Sequence, residues 1–435
     1  MSVRSVGNMT GSWLFRVVAV PAISVVTVAI CSSAIASAST GAKSKASGTP
    51  RPALRVLTPE VVNPGQLDAE VITYLKPGGG SLESSLPKNA TVADIRKLLK
   101  REMASVPPRY SGPTAPAPAP KKKETIGLMS CSNTLHGCVT PLNGAEDAAK
   151  ALGWKYIAFN GAGSATTENK NLLTMVADKV NAIMFTSINP ATIQQGLEAA
   201  KAAGIPVFAA SSGSDTPNPV VKVPHGQVWP LMDISQNFVE TGAMQATWII
   251  VNSNGHANVL VLTDKEYTSG ISQVGVAEEF YLHCPHCTVS TFNFSGTQVG
   301  APLATEVVGY LRAHPSIDYV DFPYDPAAAA VVPAMEQAGE KHIKVCSLLG
   351  DAQNLNFVRT GEIQACDGAY DNTYAGWAMV DQFIRLLDHK PFSRPVGENL
   401  PQELITRSNV PAKVTSEWSA PYTFAANFKK LWGIK

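Results

Sequence analysis

The chain has 435 residues and a mass of 46.0 kDa, of which 45% are hydrophobic and only 16% charged. That apolar share supports a sizeable core and excludes a wholly disordered chain, and the length suggests about three domains or lobes. Lys+Arg is 35 and Asp+Glu 34, a net charge of +1. There is no basic excess of the kind phosphate-binding proteins carry, so nucleic acid is not an expected partner.

The N-terminus reads as an export signal. Arg4 and Arg16 precede the apolar run 17–30, which Pro21 interrupts. A spanning helix needs about 20 apolar residues, so this run is too short to anchor the chain. Ala34-Ile-Ala36 and Ala36-Ser-Ala38 fit the small-residue cleavage pattern, and a signal peptide over 1–38 is expected. Residues 28–31 resemble a bacterial lipobox ending at Cys31, although that motif wants a small residue where Ile30 stands. The protein is therefore expected outside the cytoplasm, in the periplasm or on the outer face of the cell membrane.

Residues 39–60 are rich in Ser, Lys, Thr and Pro and read as a tether. One helix is expected over 91–105. Thr91 is its N-cap, Asp94 stands at the capping-box spacing, and Ile95, Leu98, Leu99 and Met103 form an apolar stripe. Pro107-Pro108 ends it, and 113–120 reads as a stiff Pro/Ala spacer. Lys121-Lys-Lys123 is a solvated charge run. The leader thus occupies 39–123.

From Glu124 strands alternate with helices. Strands are expected at 126–130, 156–160, 182–186 and 206–210, with helices at 141–152, 167–179 and 190–203 between them. Helix–strand pairs follow at 236–251 and 257–262, 270–282 and 289–294, 302–313 and 319–323, and 326–338 and 343–348. Such alternation with short connections predicts an α/β fold of two doubly wound parallel-sheet blocks. Ligands of such sheets bind beyond the carboxyl ends of the strands, so two facing blocks would share a cleft.

Seven cysteines occur, and removal of Cys31 with the signal leaves six. An even number in an exported chain suggests disulfides, and the spacing favours Cys131–Cys138, Cys284–Cys287 and Cys346–Cys366. Cys284-Pro-His-Cys287 resembles the active site of thioredoxin-fold thiol oxidases. In that fold the motif follows a strand and opens a helix; here a helical pattern precedes it and a strand follows. A disulfide loop at a helix–strand turn is the expected reading, with a metal site using His283 or His286, or redox catalysis, as lesser alternatives. No catalytic motif occurs: there is no Walker A loop, no H-E-x-x-H and no G-x-S-x-G. Gly161-Ala-Gly163 lacks the third glycine of a dinucleotide fingerprint. Neither an enzyme, a cofactor nor a metal is expected.

Val180-Asn-Ala-Ile-Met-Phe-Thr-Ser-Ile-Asn189 and Gly204-Ile-Pro-Val207 resemble the third and fourth strand regions of type I periplasmic binding proteins. The order of elements agrees from Thr125 to about Pro391. The nearest subgroup is the sugar-type substrate-binding proteins of ABC importers. More narrowly, Tyr110-Ser-Gly-Pro-Thr114 and Cys131 resemble their actinobacterial members. The resemblance implies two lobes joined by a hinge with three crossovers, closing on a small-molecule ligand and meeting an importer permease. Lobe one would be 124–234 plus 370–392, and lobe two 235–369 plus 393–435. Membrane contact would come only through the permease or a lipid anchor. A ligand sensor of the same fold, signalling to a membrane receptor, is the alternative. Gene regulators of this fold carry an N-terminal helix-turn-helix, and here that place holds the signal and leader.

Strand ends supply the candidate ligand contacts. Lobe one offers Ser132, Asn133 and Thr134, then Ser187 and Asn189, then Ser211 and Ser212. Lobe two offers Lys265, Glu266 and Tyr267, then Tyr324 and Asp325, then Gly350 and Asp351. Tyr370, Asp371 and Asn372 stand at the hinge. Tyr267 and Tyr324 suit an amphipathic ligand, with an aromatic face and a phenol. The chain departs from the sugar-binding pattern at three places. Ala209-Ala-Ser-Ser-Gly213 replaces an Asp-Arg pair, no Arg occurs in 270–277, and Leu348-Leu349 stands where an Asp is usual. A site short of fixed donors and acceptors binds sugars poorly. The expected ligand is therefore a less polar solute, aromatic or alicyclic, rather than a common monosaccharide.

Overall fold

The structure, a computed structural model, describes Leu86, residues 90–104, Tyr110, 112–214, 225–264, 267–393, Glu398 and 400–435. The signal peptide, Cys31, the tether, Lys265 and Glu266 lie outside the described residues.

The first sheet is built on four strands whose residues are nearly all buried, with a more exposed fifth at one edge. β1 (Thr125–Ser130) and β3 (Ala182–Thr186) lie at its centre, flanked by β2 (Lys155–Asn160), β4 (Val207–Ala210) and β5 (Met232–Ile234). The order is β2-β1-β3-β4-β5, all parallel. Helices α2 (His136–Leu152), α3 (Ala165–Ala177) and α4 (Gln194–Ala202) connect them. The second sheet has the order β11-β10-β9-β8-β6-β7. Its strands are β6 (Asn258–Asp264), β7 (Thr288–Phe294), β8 (Tyr319–Asp321), β9 (Lys344–Leu349), β10 (Gln364–Tyr370) and β11 (Gln402–Thr406). Only β11 runs antiparallel, on β10. The helices of this lobe are α5 (Phe238–Asn252), α6 (Ser272–His283), α7 (Ala301–Ala313), α8 (Asp325–Ala338) and α9 (Ala352–Thr360).

Close helix packing depends on glycine at two crossings. In α5 and α6, a Cβ at Gly242 would lie 1.8 Å from the Ser272 carbonyl oxygen, and one at Gly275 would lie 1.7 Å from that of Val239. The returning helix α10 (Asn372–Leu387) packs on α2 in the same way, through Gly376 and Gly144. The chain therefore crosses between lobes after β5, between β10 and α10, and between α10 and β11.

Three expectations change. The first helix of lobe one begins at His136 rather than near 141, and Pro141 lies inside it. Proline removes the N–H that would bond the carbonyl four residues back, and here the Ser187 hydroxyl approaches that Gly137 oxygen at 3.5 Å. The C-terminal segment, expected wholly on lobe two, divides between the lobes: β11 joins the second sheet, whereas α11 (Phe424–Trp432) packs on α10 of lobe one. The Pro/Ala segment is no free spacer. Ala117 is fully buried, and the Ala117 and Ala119 N–H groups donate to the Leu431 and Trp432 carbonyls.

The leader helix α1 (Val92–Glu102) has the expected capping box, with Thr91 and Asp94 bonded reciprocally. Its Ile95 and Leu99 are buried against α5. The leader therefore docks on lobe two through α1 and on lobe one through 115–119. All three disulfides pair as the spacing suggests: Cys131–Cys138, Cys284–Cys287 and Cys346–Cys366. The last joins cross-strand neighbours of β9 and β10.

Candidate functional site

The carboxyl ends of the two sheets face each other across a narrow cleft. Lobe one contributes Leu135, Gly137 and Cys138 from the β1–α2 connection, Ser187 after β3 and Ser211 after β4. Lobe two contributes Tyr267 and Ser269 after β6, Tyr324 and Pro326 at the start of α8, and Leu349 at the end of β9. Phe238 and Tyr370 close it from the hinge side. None of these lining residues carries a charge.

The lobes touch across this space. A Cβ at Gly137 would lie 3.2 Å from Leu349 Cδ2, and one at Gly163 would lie 3.9 Å from the Tyr267 hydroxyl. Tyr267, from lobe two, packs against the apolar cluster of lobe one that holds Met129, Cys131 and Phe185. Leu349 has φ 141°, a conformation leucine rarely adopts. Strain of that kind persists only where neighbours over-determine it. Here it follows a buried strand and precedes Gly350, φ 83°, whose Cβ would meet Ala369 and Trp418 at 2.8 Å.

An aromatic corner forms the lobe-two wall. Tyr267 and Tyr324 meet edge to face with centroids 5.8 Å apart, and Phe294 lies 5.9 Å behind Tyr324. The Tyr324 hydroxyl donates to Asp264 Oδ2 at 2.5 Å, and Asp264 is fully buried. That bond fixes the ring.

Of the expected contacts, Ser211, Tyr267 and Tyr324 line the cleft, as do the more widely noted Ser187 and Tyr370. The others are engaged elsewhere. Asn133 accepts from the Ser130 hydroxyl and its own N–H donates to Asn160, while Thr134 pairs with Ser132; both Asn133 and Thr134 are exposed. Asn189 caps the turn 190–192 through the Ala191 N–H. The Ser212 N–H donates to Asp233 and its hydroxyl points back to the Ala210 carbonyl. Asp325 is fully buried, accepting from the Ser347 hydroxyl and from the Asp351 N–H. Asp371 accepts from the Tyr374 N–H, and from Ser419 and Ala420 of the C-terminal segment. These are the cap and turn roles polar residues often take at strand ends. Leu135, Cys138, Phe238, Ser269, Pro326 and Leu349 were not expected as contacts; the apolar ones among them read as core beside a strand end.

Beside the cleft, Asp351 of lobe two faces His136 of lobe one at 3.7 Å. Burial, then the carboxylates of Asp325 and Glu417, push Asp351 up to about 8. Burial pushes Asp325 to about 6 and Glu417 to about 7. The folded chain thus holds protons that the unfolded chain loses near pH 4. Stability is full below that point and is lost as pH rises through about 6 to 8. The melting temperature is expected to fall steadily from pH 5 to pH 9, and less steeply in Asp351→Asn. A wild-type profile that is flat or rises over this range would contradict the assignment.

A periplasmic binding protein domain model matches residues 126–391. The chain belongs to the periplasmic binding protein family. Its two α/β lobes have the type I fold of that family, whose members are substrate-binding proteins rather than enzymes. The match is to the family as a whole and specifies no actinobacterial subgroup. Solved structures share the fold. An ABC sugar transporter subunit from Rhodobacter sphaeroides 2.4.1 is 19% identical, with 66% of this chain and 99% of that one covered and a TM-score of 0.56. A solute-binding protein from Agrobacterium vitis, bound with α-D-tagatopyranose, is 20% identical over 67% and 97%, with a TM-score of 0.58. The Caulobacter myo-inositol binding protein is 15% identical over 67% and 96%, with a TM-score of 0.57. No curated protein matches the chain. Among the described residues no helix is long and apolar enough to cross a membrane.

Proposed function

We propose that this periplasmic binding protein captures a weakly polar, ring-shaped solute in the interlobe cleft outside the cytoplasm and delivers it to an ABC importer. The observation that carries the reading is the aromatic cleft lining, uncharged among the described residues. Phe238, Tyr267, Tyr324 and Tyr370 surround the space with Leu135, Leu349 and Pro326, and polar character comes from Ser187, Ser211, Ser269 and the phenols. Ligand contacts are assigned to Ser211, Tyr267 and Tyr324, with Leu349 and Phe238 as apolar walls.

Magnitudes favour a less polar ligand over a sugar. Burying about 200 Å² of apolar ring surface contributes roughly 5 kcal/mol before the entropy of binding is subtracted. Each hydroxyl desolvated without a partner costs about 1–3 kcal/mol. Two or three unpaired hydroxyls would therefore cancel most of that gain. Contacts from both lobes exist together only in the closed form, so ligand shifts the population toward closure and presents a surface to the permease.

The test is a thermal-shift screen of sugars, amino acids, polyamines and aromatic or alicyclic acids. At 100 times Kd, linkage gives about 2.7 kcal/mol, a shift of a few degrees. Shifts confined to the ring-shaped, weakly polar compounds are expected. A shift with ribose, xylose or glucose at micromolar concentration would overturn the ligand class.

A further inference from the structure

The Cys284-Pro-His-Cys287 motif has no part in the cleft. It closes the turn between α6 and β7, and both sulfurs are buried, Cys284 at 0% and Cys287 at 1% exposure. A disulfide turn needs only the two cysteines; the histidine between them is exposed and adds nothing to that closure. Its ring is held beside a second exposed histidine. His286 and His256 lie with ring centroids 5.2 Å apart and planes within 6°.

The pairing follows from the sheet. β6 and β7 run parallel with Asn258 opposite Thr288, so His256 and His286, each two residues upstream, approach the sheet as cross-strand neighbours. The Thr288 N–H donates to the Ala257 carbonyl at 2.8 Å, and the Ala257 N–H to Cys287 Sγ at 3.3 Å. Register therefore fixes one backbone and the disulfide fixes the other. His256 Nδ1 lies 3.0 Å from the Asn254 carbonyl oxygen. A carbonyl only accepts, so Nδ1 is the donor in this contact and Nε2 is the nitrogen left to meet a metal. Metal-binding histidines characteristically have this arrangement, in which a hydrogen bond on the far nitrogen sets tautomer and orientation.

We propose that His256 and His286 form a surface chelate for one divalent transition-metal ion of the imidazole-preferring class, with water completing the shell. Two cis nitrogens of such a site sit about 3 Å apart at metal–nitrogen distances of about 2.0–2.1 Å. In the stacked arrangement the two rings lie side by side, so chelation requires both exposed side chains to turn out of the stack on backbones that the register and the disulfide fix. Among the described residues no cluster of three or more His, Cys, Asp or Glu could hold a metal, so the site is a two-histidine one. Its order of preference follows Cu²⁺ above Ni²⁺ and Zn²⁺, and Ca²⁺ and Mg²⁺, which take oxygen ligands, are rejected.

The experiment is a Cu²⁺ titration of the full chain, prepared without a histidine tag and with disulfides intact, followed by electron paramagnetic resonance. The double variant His256→Gln/His286→Gln provides the background from other copper ligands, and unchanged melting in metal-free buffer confirms its folding. The wild type should take up one ion more than the double variant, with splitting from two nitrogens. His256→Gln and His286→Gln should each weaken that ion at least tenfold. Excess Zn²⁺ should displace it and Ca²⁺ should not. Equal uptake and identical spectra in the wild type and the double variant would overturn the proposal, as would single variants that bind like the wild type.

Discussion

Gly275→Ala is expected to abolish stable folding of lobe two, or to lower stability by about 3 kcal/mol or more. Overpacking a core usually costs about 1–3 kcal/mol because side chains can shift. Here the added carbon meets backbone: the Val239 carbonyl oxygen at 1.7 Å, its carbon at 2.7 Å and the Ala243 nitrogen at 2.9 Å. Relief requires α5 and α6 to separate, and both carry buried residues along the contact, including Val239, Ala243, Met244 and Val276. Urea unfolding of the variant would then show a lower midpoint, or no cooperative transition. Gly309→Ala serves as the control, because nothing lies within 4 Å of its added carbon; it should unfold at or slightly above the wild-type midpoint, since alanine is favoured over glycine inside a helix by about 1 kcal/mol. A Gly275→Ala protein as stable as that control would mean that the two helices do not cross this closely.

Arg385→Leu is expected to cost about 3–5 kcal/mol, the usual penalty for leaving half of a buried ion pair uncompensated. Arg385 Nε donates to Asp381 Oδ2 at 2.5 Å, with side-chain exposures of 3% and 0%. The other Asp381 oxygen accepts from Trp432 Nε1 at 2.7 Å, and Arg385 Nη2 donates to the Ala115 carbonyl at 3.0 Å. One pair thus joins the returning helix, the C-terminal helix and the Pro/Ala segment. Replacing both partners, as Arg385→Leu/Asp381→Leu, should recover part of the loss, since the lone buried charge is gone. If the double variant is no better than Arg385→Leu, the penalty is lost packing and not an unpaired carboxylate.

Much of the sheet architecture could be read from the chain. Buried runs such as 182–186 and 345–349 are too short for helices and are bounded by turns, which identifies parallel strands. The Thr91–Asp94 capping box carried its own signature. What could not be read has a physical cause. β5 is three residues long, and β11, Gln402–Thr406, is a partly exposed edge with no clear alternation. The helix 136–152 begins before a proline that normally marks a first turn. In 113–120 the prolines pointed to a spacer, but alanine methyls at 117 and 119 fit against α11, a tertiary contact that local pattern cannot announce.

The cleft was legible by position and not by chemistry. Strand ends pointed to Ser211, Tyr267 and Tyr324, and these three line the cleft. Asp325, Asp371 and Asn189 occupy equally suitable positions but serve as caps and internal hydrogen-bond acceptors. Phe238 carried no signal, because an apolar residue at a helix start looks like core until the opposing lobe is in place, and Leu349 stood out only as a departure from the sugar-binding pattern. The three departures from the sugar-binding pattern were the better guide to the lining, which among the described residues carries no charged side chain.

The most direct test is titration calorimetry of the best-shifting ligand against the wild type and Tyr267→Ala. Tyr267 reaches across the cleft to lobe one, stands edge to face with Tyr324 and is only half-buried. Its truncation should therefore spare the fold while removing a wall of the site. Loss of one aromatic contact and part of the interlobe closure predicts a roughly 10- to 100-fold rise in Kd, about 1.4–2.8 kcal/mol, with melting of the free protein little changed. Equal affinity in the two proteins would contradict a ligand held between the lobes at this cleft.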